Sequence, residues 1–372
     1  MATNRLKALN ALGQSVWYDY IRRDLVEDGG LEKRIDEDGL SGMTSNPTIF
    51  EMAIAGGSLY DSDIRGAGAG QAATRVFESL AIHDVRAAAD VFRKVYDATG
   101  GDDGFVSIEV GPGLARDTKG TIEEARRLWK ECDRPNVMVK IPGTAAGVPA
   151  IRQCLSEGIN INITLLFSVP RYREVIDAHL GALEERIKAG QDIARLRSVA
   201  SFFVSRVDTN VDKKLDALTK GGDTRAATLR SKIAIANAKV AYEAFEEVYA
   251  SPRWKALEAK GAKKQRPLWA STSTKDPALP DLYYVEALIA PDSVDTMPPE
   301  TFDAFRDHGD AKVRIRDDRE TVQAQFRALR DLGISIDQVA SELEDEGVKK
   351  FSDSFDSLMK TIGEKQRAMR VA

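Results

Sequence analysis

Histidine and cysteine are scarce: three histidines (His83, His179, His308) and two cysteines (Cys132, Cys154) in 372 residues. Two cysteines cannot make a disulfide framework, so both are expected as reduced thiols on helices. The histidines lie in or beside helical patterns among polar residues and are expected at the surface. That leaves little material for a zinc site or a histidine-based mechanism. No run approaches eighteen apolar residues, so no membrane span is expected. The opening MATNRLKALN has basic residues but lacks the apolar stretch of a secretory signal. A cytoplasmic location is the expectation. An excess of basic charge is also missing. The 53 lysines and arginines are outnumbered by 58 acidic residues, and the signs are interspersed. This is not the footprint of a nucleic-acid binder, although a few local cations suffice to bind an anionic metabolite.

What is present is rhythm. Eight short apolar runs, rich in β-branched and aromatic residues, read as strands: 15–21, 39–45, 104–110, 137–142, 161–167, 199–205, 267–272 and 283–289. Between them lie helical patterns. Residues 71–97 carry apolar positions at helical spacing. Thr121 with Glu124 suggests a capping box for a helix through Trp129. Ser168 opens another helix, with Pro170 in its first turn, and a long helix is expected over 224–250. Residues 54–70 and 261–267 read as glycine-containing loops. The tail, 318–366, is helical: Ser335 and Gln338 form a capping box, and Val348, Phe351, Phe355, Leu358 and Ile362 make an apolar stripe that must pack on the outside or the mouth of the body.

Strand–helix alternation repeated eight times predicts an α/β fold, a (β/α)8 TIM barrel, with additional C-terminal helices. A doubly wound open sheet is the competitor, but no glycine-rich phosphate fingerprint follows the first strand. The expectation is one domain over 1–372, with 318–366 as a helical extension packed on the barrel.

Ligand chemistry in such a barrel sits at the carboxyl ends of the strands. The polar residues there are Asp19, Thr44, Ser45, Asn46, Glu109, Lys140, Asn162, Thr164, Ser201, Arg206, Ser271 and Lys275. Lys140 stands in the apolar run VMVKIP, where desolvation disfavours an ammonium and favours the neutral, nucleophilic amine. For an isolated barrel lysine the alternative is a structural ion pair with Asp19 or Glu109. Two carboxylates on one rim, Asp19 and Glu109, are pushed to different affinities for the proton, which suits an acid and a base with different tasks. Asn46, Asn162 and Thr164 can hydrogen-bond a polyol, and Arg206 and Lys275 can neutralise a phosphate. Asn162-Ile163-Thr164 also matches a glycosylation sequon, which its place in an apolar strand argues against.

The segments TSNPTIF (44–50), VKIPGT (139–144), GININITLLFS (158–168), ASFFVSRVD (200–208), LWASTSTKDP (268–277) and APDSVDTMP (290–298) resemble, in order, those of the transaldolase family. The tail EDEGVKKF (344–351) resembles the longer bacterial form, which has extra C-terminal helices. The resemblance implies a class I aldolase-type barrel and transfer of a dihydroxyacetone unit between sugar phosphates of the pentose phosphate pathway, with no cofactor. It places the Schiff-base lysine at Lys140, the general acid/base at Asp19, the water-activating glutamate at Glu109 and the threonine that holds that water at Thr164. Substrate contacts fall on Asn46 and Asn162, and phosphate contacts on Ser201, Arg206 and Ser271. One position departs: where the family has an arginine two residues after the serine at 271, this chain has Ser273, and Lys275 is the cation at hand. The partners implied are sugar phosphates, with no nucleic acid or membrane, and a monomer or homodimer. The nearest rival is a fructose-6-phosphate-type aldolase on the same barrel, which would need no acceptor aldehyde. A sugar-phosphate-binding protein without turnover is a further rival, against which the set Asp19, Glu109 and Lys140 argues.

Overall fold

The computed structural model describes residues 4–67 and 70–371, with the side chains of 369–371 left aside. Its strands are β1 (Gln14–Asp19), β2 (Gly42–Thr44), β3 (Phe105–Glu109), β4 (Val137–Pro142), β5 (Ile161–Leu166), β6 (Ser198–Phe203), β7 (Arg266–Ala270) and β8 (Ser293–Met297). Each pairs in parallel with its sequence neighbours, and β8 returns to β1 from Gln14↔Ser293 to Tyr18↔Met297, closing the ring. With helices outside the ring, this is a (β/α)8 barrel.

Seven of the expected runs form these strands; the eighth does not. Tyr283–Ala287 is a short helix, and β8 is the more polar SVDTM that follows. Its polar residues are buried because each finds a partner. Gln14 Nε2 donates to Ser293 Oγ at 3.0 Å, Thr272 Oγ1 donates to Asp295 Oδ1 at 2.9 Å, and the Thr296 and Thr44 hydroxyls lie 2.6 Å apart. Alternation of hydrophobicity therefore does not mark this strand.

Three helix boundaries also differ. The helix Thr118–Cys132 starts three residues before Thr121. Its N-cap is Asp117, which accepts from Gly120 N–H, while the buried Thr121 hydroxyl donates to Leu114 O at 2.9 Å. The expected helix over 224–250 is a 3₁₀ turn, Ala226–Leu229, followed by Ile233–Tyr249. Ser231 breaks it, with φ of +59° and its N–H bonded to Asp212. Much of 54–70 is helical, since Pro47–Ala55 and Asp61–Gly66 reach into it; residues 68 and 69 of that segment lie outside the described residues.

His179 corrects another expectation. It is fully buried on the helix Val169–Lys188, with Nδ1 3.2 Å from Tyr249 Oη. Burial lowers its pKa to about 3, so it is neutral. It lies one turn from Ile176 and Leu183 on the inward face, among the buried Ala178, Leu180 and Gly181. His83 and His308 are solvent-exposed, and both cysteines are free and buried.

The tail forms Arg319–Asp331 and the long helix Ile336–Val371. The long helix crosses the carboxyl end of the barrel. Ser354 Oγ lies 2.8 Å from Thr48 Oγ1, Phe355 packs edge-on against Phe77, and Lys365 pairs with Asp61 at 2.6 Å. Leu358 and Ile362 are fully buried beneath it. The stripe thus covers the mouth.

Candidate active site

Register brings the central groups together. Glu109 on β3 is opposite Lys140 on β4, which is opposite Asn162 on β5. Lys140 and Glu109 side chains are each only 5% exposed, with Nζ 3.7 Å from Glu109 Oε2, an ion-pair distance beyond hydrogen-bond reach. Nζ donates instead to the Ser45 carbonyl at 3.2 Å. Glu109 Oε2 has no hydrogen-bond partner, and neither has the buried Thr164 Oγ1. Burial raises the Glu109 carboxyl to a pKa of about 7, with the Lys140 charge opposing it and Asp19 adding to it.

Asp19 ends β1 and faces the cavity. Burial raises its pKa as well, but the charges of Lys140, Arg206 and Lys275 and a hydrogen bond from Thr44 all hold it down. Thr44 Oγ1 donates to Asp19 Oδ1 at 2.7 Å. The two carboxyls therefore differ in kind: one is held by a hydroxyl and several cations, the other keeps an unpartnered oxygen. Asn46 caps the helix Pro47–Ala55, its Oδ1 accepting from Ile49 N–H, which fixes the side chain at the rim. Asn162 is locked within the barrel: Nδ2 donates to Ser107 Oγ at 3.0 Å, and Oδ1 accepts from Ser201 Oγ at 2.7 Å.

The opposite wall is cationic. Arg206 stacks over Phe203, with Cζ 5.0 Å from the ring centroid, and among the described residues no carboxylate or carbonyl takes its N–H donors. Burial lowers its pKa, opposed by Asp19, Glu346 and Glu109. Ser271 adopts φ of +57°, a left-handed conformation that turns the chain at the end of β7. Its hydroxyl lies 3.0 Å from Ser205 Oγ, and its carbonyl accepts from Ser205 N–H at 3.0 Å. Lys275 Nζ donates to Ser273 Oγ at 2.6 Å, so its ammonium lies beside Ser273.

A cavity of about 500 Å³ joins these walls. Asp19, Asn46, Lys140, Ser201, Arg206, Ser271 and Lys275 all line it; Glu109, Asn162 and Thr164 lie behind its surface, Glu109 beside Lys140 and Asn162 beside Ser201. Asp281 and Glu300 also line it. An anionic group is drawn to the Arg206 end. Sequence reasoning placed Thr44 at its strand end without giving it a role, and missed Thr296 and Phe351, the latter brought to the cavity by the long C-terminal helix. Thr44 sat in the quoted motif, but nothing in the one-dimensional pattern ties a tail residue to a strand end. Among the described residues no three His, Cys, Asp or Glu side chains converge as a metal site would require.

Residues 16–362 match the family model described as transaldolase/fructose-6-phosphate aldolase. A transaldolase of Frankia alni is 50% identical over 368 residues, 97% of each chain. One of Acidothermus cellulolyticus is 51% identical over 362 residues, 97% of this chain and 96% of that one. One of Trichodesmium erythraeum is 46% identical over 377 residues, 99% of each.

Proposed function

Because the chain belongs to the transaldolase/fructose-6-phosphate aldolase family and is a ketol-transferring enzyme, a transaldolase, we propose that Lys140 carries the transferred unit and that its neighbours divide the proton transfers as follows. The observation behind the reading is the Lys140 amine, buried against Glu109 at the floor of a cavity with Asp19 on one wall and an unpaired Arg206 on another.

Glu109 takes a proton from the Lys140 ammonium, and the freed amine attacks C2 of a ketose phosphate such as fructose 6-phosphate or sedoheptulose 7-phosphate, giving a carbinolamine. Glu109 delivers the proton that lets the hydroxyl leave as water; a pKa of about 7 lets this carboxyl both hold and release a proton near neutrality. A water bridging Glu109 Oε2 and Thr164 Oγ1 suits two buried polar atoms that have no other partner. Asp19 then accepts the C4 hydroxyl proton. The C3–C4 bond breaks, and its electron pair moves into the iminium, which becomes an enamine. The aldose phosphate leaves with its new carbonyl, and dihydroxyacetone stays on Lys140. Glyceraldehyde 3-phosphate or erythrose 4-phosphate enters, the enamine carbon attacks it, and hydrolysis frees the new ketose. Asn46 holds the polyol directly, Asn162 acts from behind the cavity surface through Ser201, and Arg206, Ser271 and Lys275 hold the phosphate, aided by Ser201.

The unbroken run of the long helix over the mouth supports one domain, and the proposed location is the cytoplasm. No helix among the described residues is long and apolar enough to cross a membrane.

Borohydride added with fructose 6-phosphate should leave a reduced three-carbon adduct on Lys140 and abolish activity. Lys140→Ala should give neither adduct nor turnover. A label on another lysine, or donor consumption that proceeds without an acceptor aldehyde, sinks the scheme.

A further inference from the structure

The long C-terminal helix approaches the cationic wall at Gly347. A Cβ at that position would lie 2.8 Å from Leu165 Cδ2 and 3.7 Å from an Arg206 guanidinium nitrogen, so glycine is what allows the approach. Leu165 is itself held at φ of +59° beside the register shift in β5, which fixes the surface the helix meets. One turn further on, Phe351 lines the cavity, and Ser354 reaches Thr48. Lys350 lies three residues after Gly347 and four before Ser354, hence on the edge of the same face. Its neighbour Lys349 is paired with Asp353, whereas Lys350 has no hydrogen-bond or ion-pair partner among the described residues. After burial, the like charges of Arg206 and Lys275 lower its pKa. Glu346 is the one tail carboxylate that acts on Arg206. Lys350, exposed beside the cavity, thus lies within charge reach of Arg206 and Lys275, while the other carboxylates acting on Arg206, Asp19 and Glu109, sit by Lys140; a phosphate of charge about −1.5 to −2 entering among the three cations is favoured.

We infer that Lys350 is a third cation of the donor phosphate site, carried over the cavity by the C-terminal helix to act with Arg206 and Lys275. The inference rests on the reading of this cavity as a sugar-phosphate site and adds a binding residue from outside the barrel.

The test uses the full chain with Lys350→Ala, Lys350→Arg and Lys349→Ala. Affinity for inorganic phosphate is measured by calorimetry, and kcat/KM is measured on fructose 6-phosphate and on unphosphorylated fructose. Lys350→Ala should weaken phosphate binding about tenfold, the worth of one charge-assisted contact, and lower the ratio of phosphorylated to unphosphorylated kcat/KM by a similar factor. Lys350→Arg should recover most of both, and Lys349→Ala should leave the ratio in place. Unchanged phosphate affinity and ratio in Lys350→Ala overturn the inference, as does an equal loss on both donors, which marks a structural role. If the parent chain transfers nothing, the proposed function falls; the calorimetric arm still decides on Lys350.

Discussion

Replacing Arg206 by methionine should move stability and specificity in opposite directions. The guanidinium is desolvated and stacked on Phe203, and among the described residues no carboxylate accepts from its donors. Methionine keeps a flexible apolar stem over that ring and removes the charge. An unpaired, partly buried charge destabilises a fold, and its apolar replacement is worth about 1–2 kcal/mol once the exposure of the group is discounted. Unfolding entropy of about 2.1 cal/mol/K per residue makes that gain roughly 1–3 °C in Tm for a chain of this length. On the substrate side, a guanidinium holds two phosphate oxygens at once, and losing two charge-assisted hydrogen bonds raises KM for fructose 6-phosphate about 10²-fold. Some kcat falls with it, because the phosphate also positions the reacting carbons. Differential scanning calorimetry without ligand, set beside kinetics on fructose 6-phosphate and fructose, gives both answers. A lower Tm together with an unchanged donor ratio would refute the picture of an arginine kept unpaired for its ligand.

Asp19→Asn and Glu109→Gln should fail at different steps, each losing about 10²–10⁴-fold in turnover. The Asp19 variant should still be trapped by borohydride but release no aldose, while the Glu109 variant should be trapped slowly; equal trapping rates in both would remove the division of labour. Asp295 tests linkage away from the cavity. Burial lifts its carboxyl from 3.8 to about 7, so the folded chain keeps a proton that the unfolded chain gives up. Stability from this group is intact below pH 4 and is lost as pH rises from about 4 to about 7, then levels off. Asp295→Asn keeps an acceptor for Thr272 without ionising, so its Tm should fall less between pH 5 and pH 8 than that of the parent; parallel profiles count against a buried neutral carboxyl.

The barrel was legible because most of its strands are apolar runs and its functional side chains interrupt them. Lys140 in VMVKIP and Asp19 in an aromatic run are conspicuous for that reason. β8 escaped because Ser293, Asp295 and Thr296 are buried by hydrogen bonding rather than by hydrophobicity, while Tyr283–Ala287 is apolar because it is packed, not because it is extended. The helix start at Asp117 was missed because two capping patterns overlap within seven residues, and burial of Thr121 decides between them. His179 was misplaced by residue type: its neighbours Ala178, Leu180 and Gly181 and its spacing from Ile176 and Leu183 already put it on the buried face. Approach of Lys350 and Phe351 to the cavity depends on a long-range packing choice, that of the mouth over the barrel's flank, which helical periodicity leaves open.

Ring closure has a bearing on how the chain is made. Translation delivers Asp19, Glu109 and Lys140 within the first 140 residues, yet the partner of β1 is β8, which ends at Met297. Until that segment leaves the ribosome, the nascent sheet has two unpaired edges and no closed wall to hold the carboxyl ends in register. A fragment ending before residue 293 therefore contains each proposed proton-transfer group and the nucleophile but cannot assemble them. One ending before residue 347 can close its ring but leaves Arg206 uncovered, without Gly347 against it or Phe351 on the cavity wall. Termination before residue 293 thereby yields an open-edged species, and termination before residue 347 a closed barrel whose cavity lacks the wall supplied by the long helix.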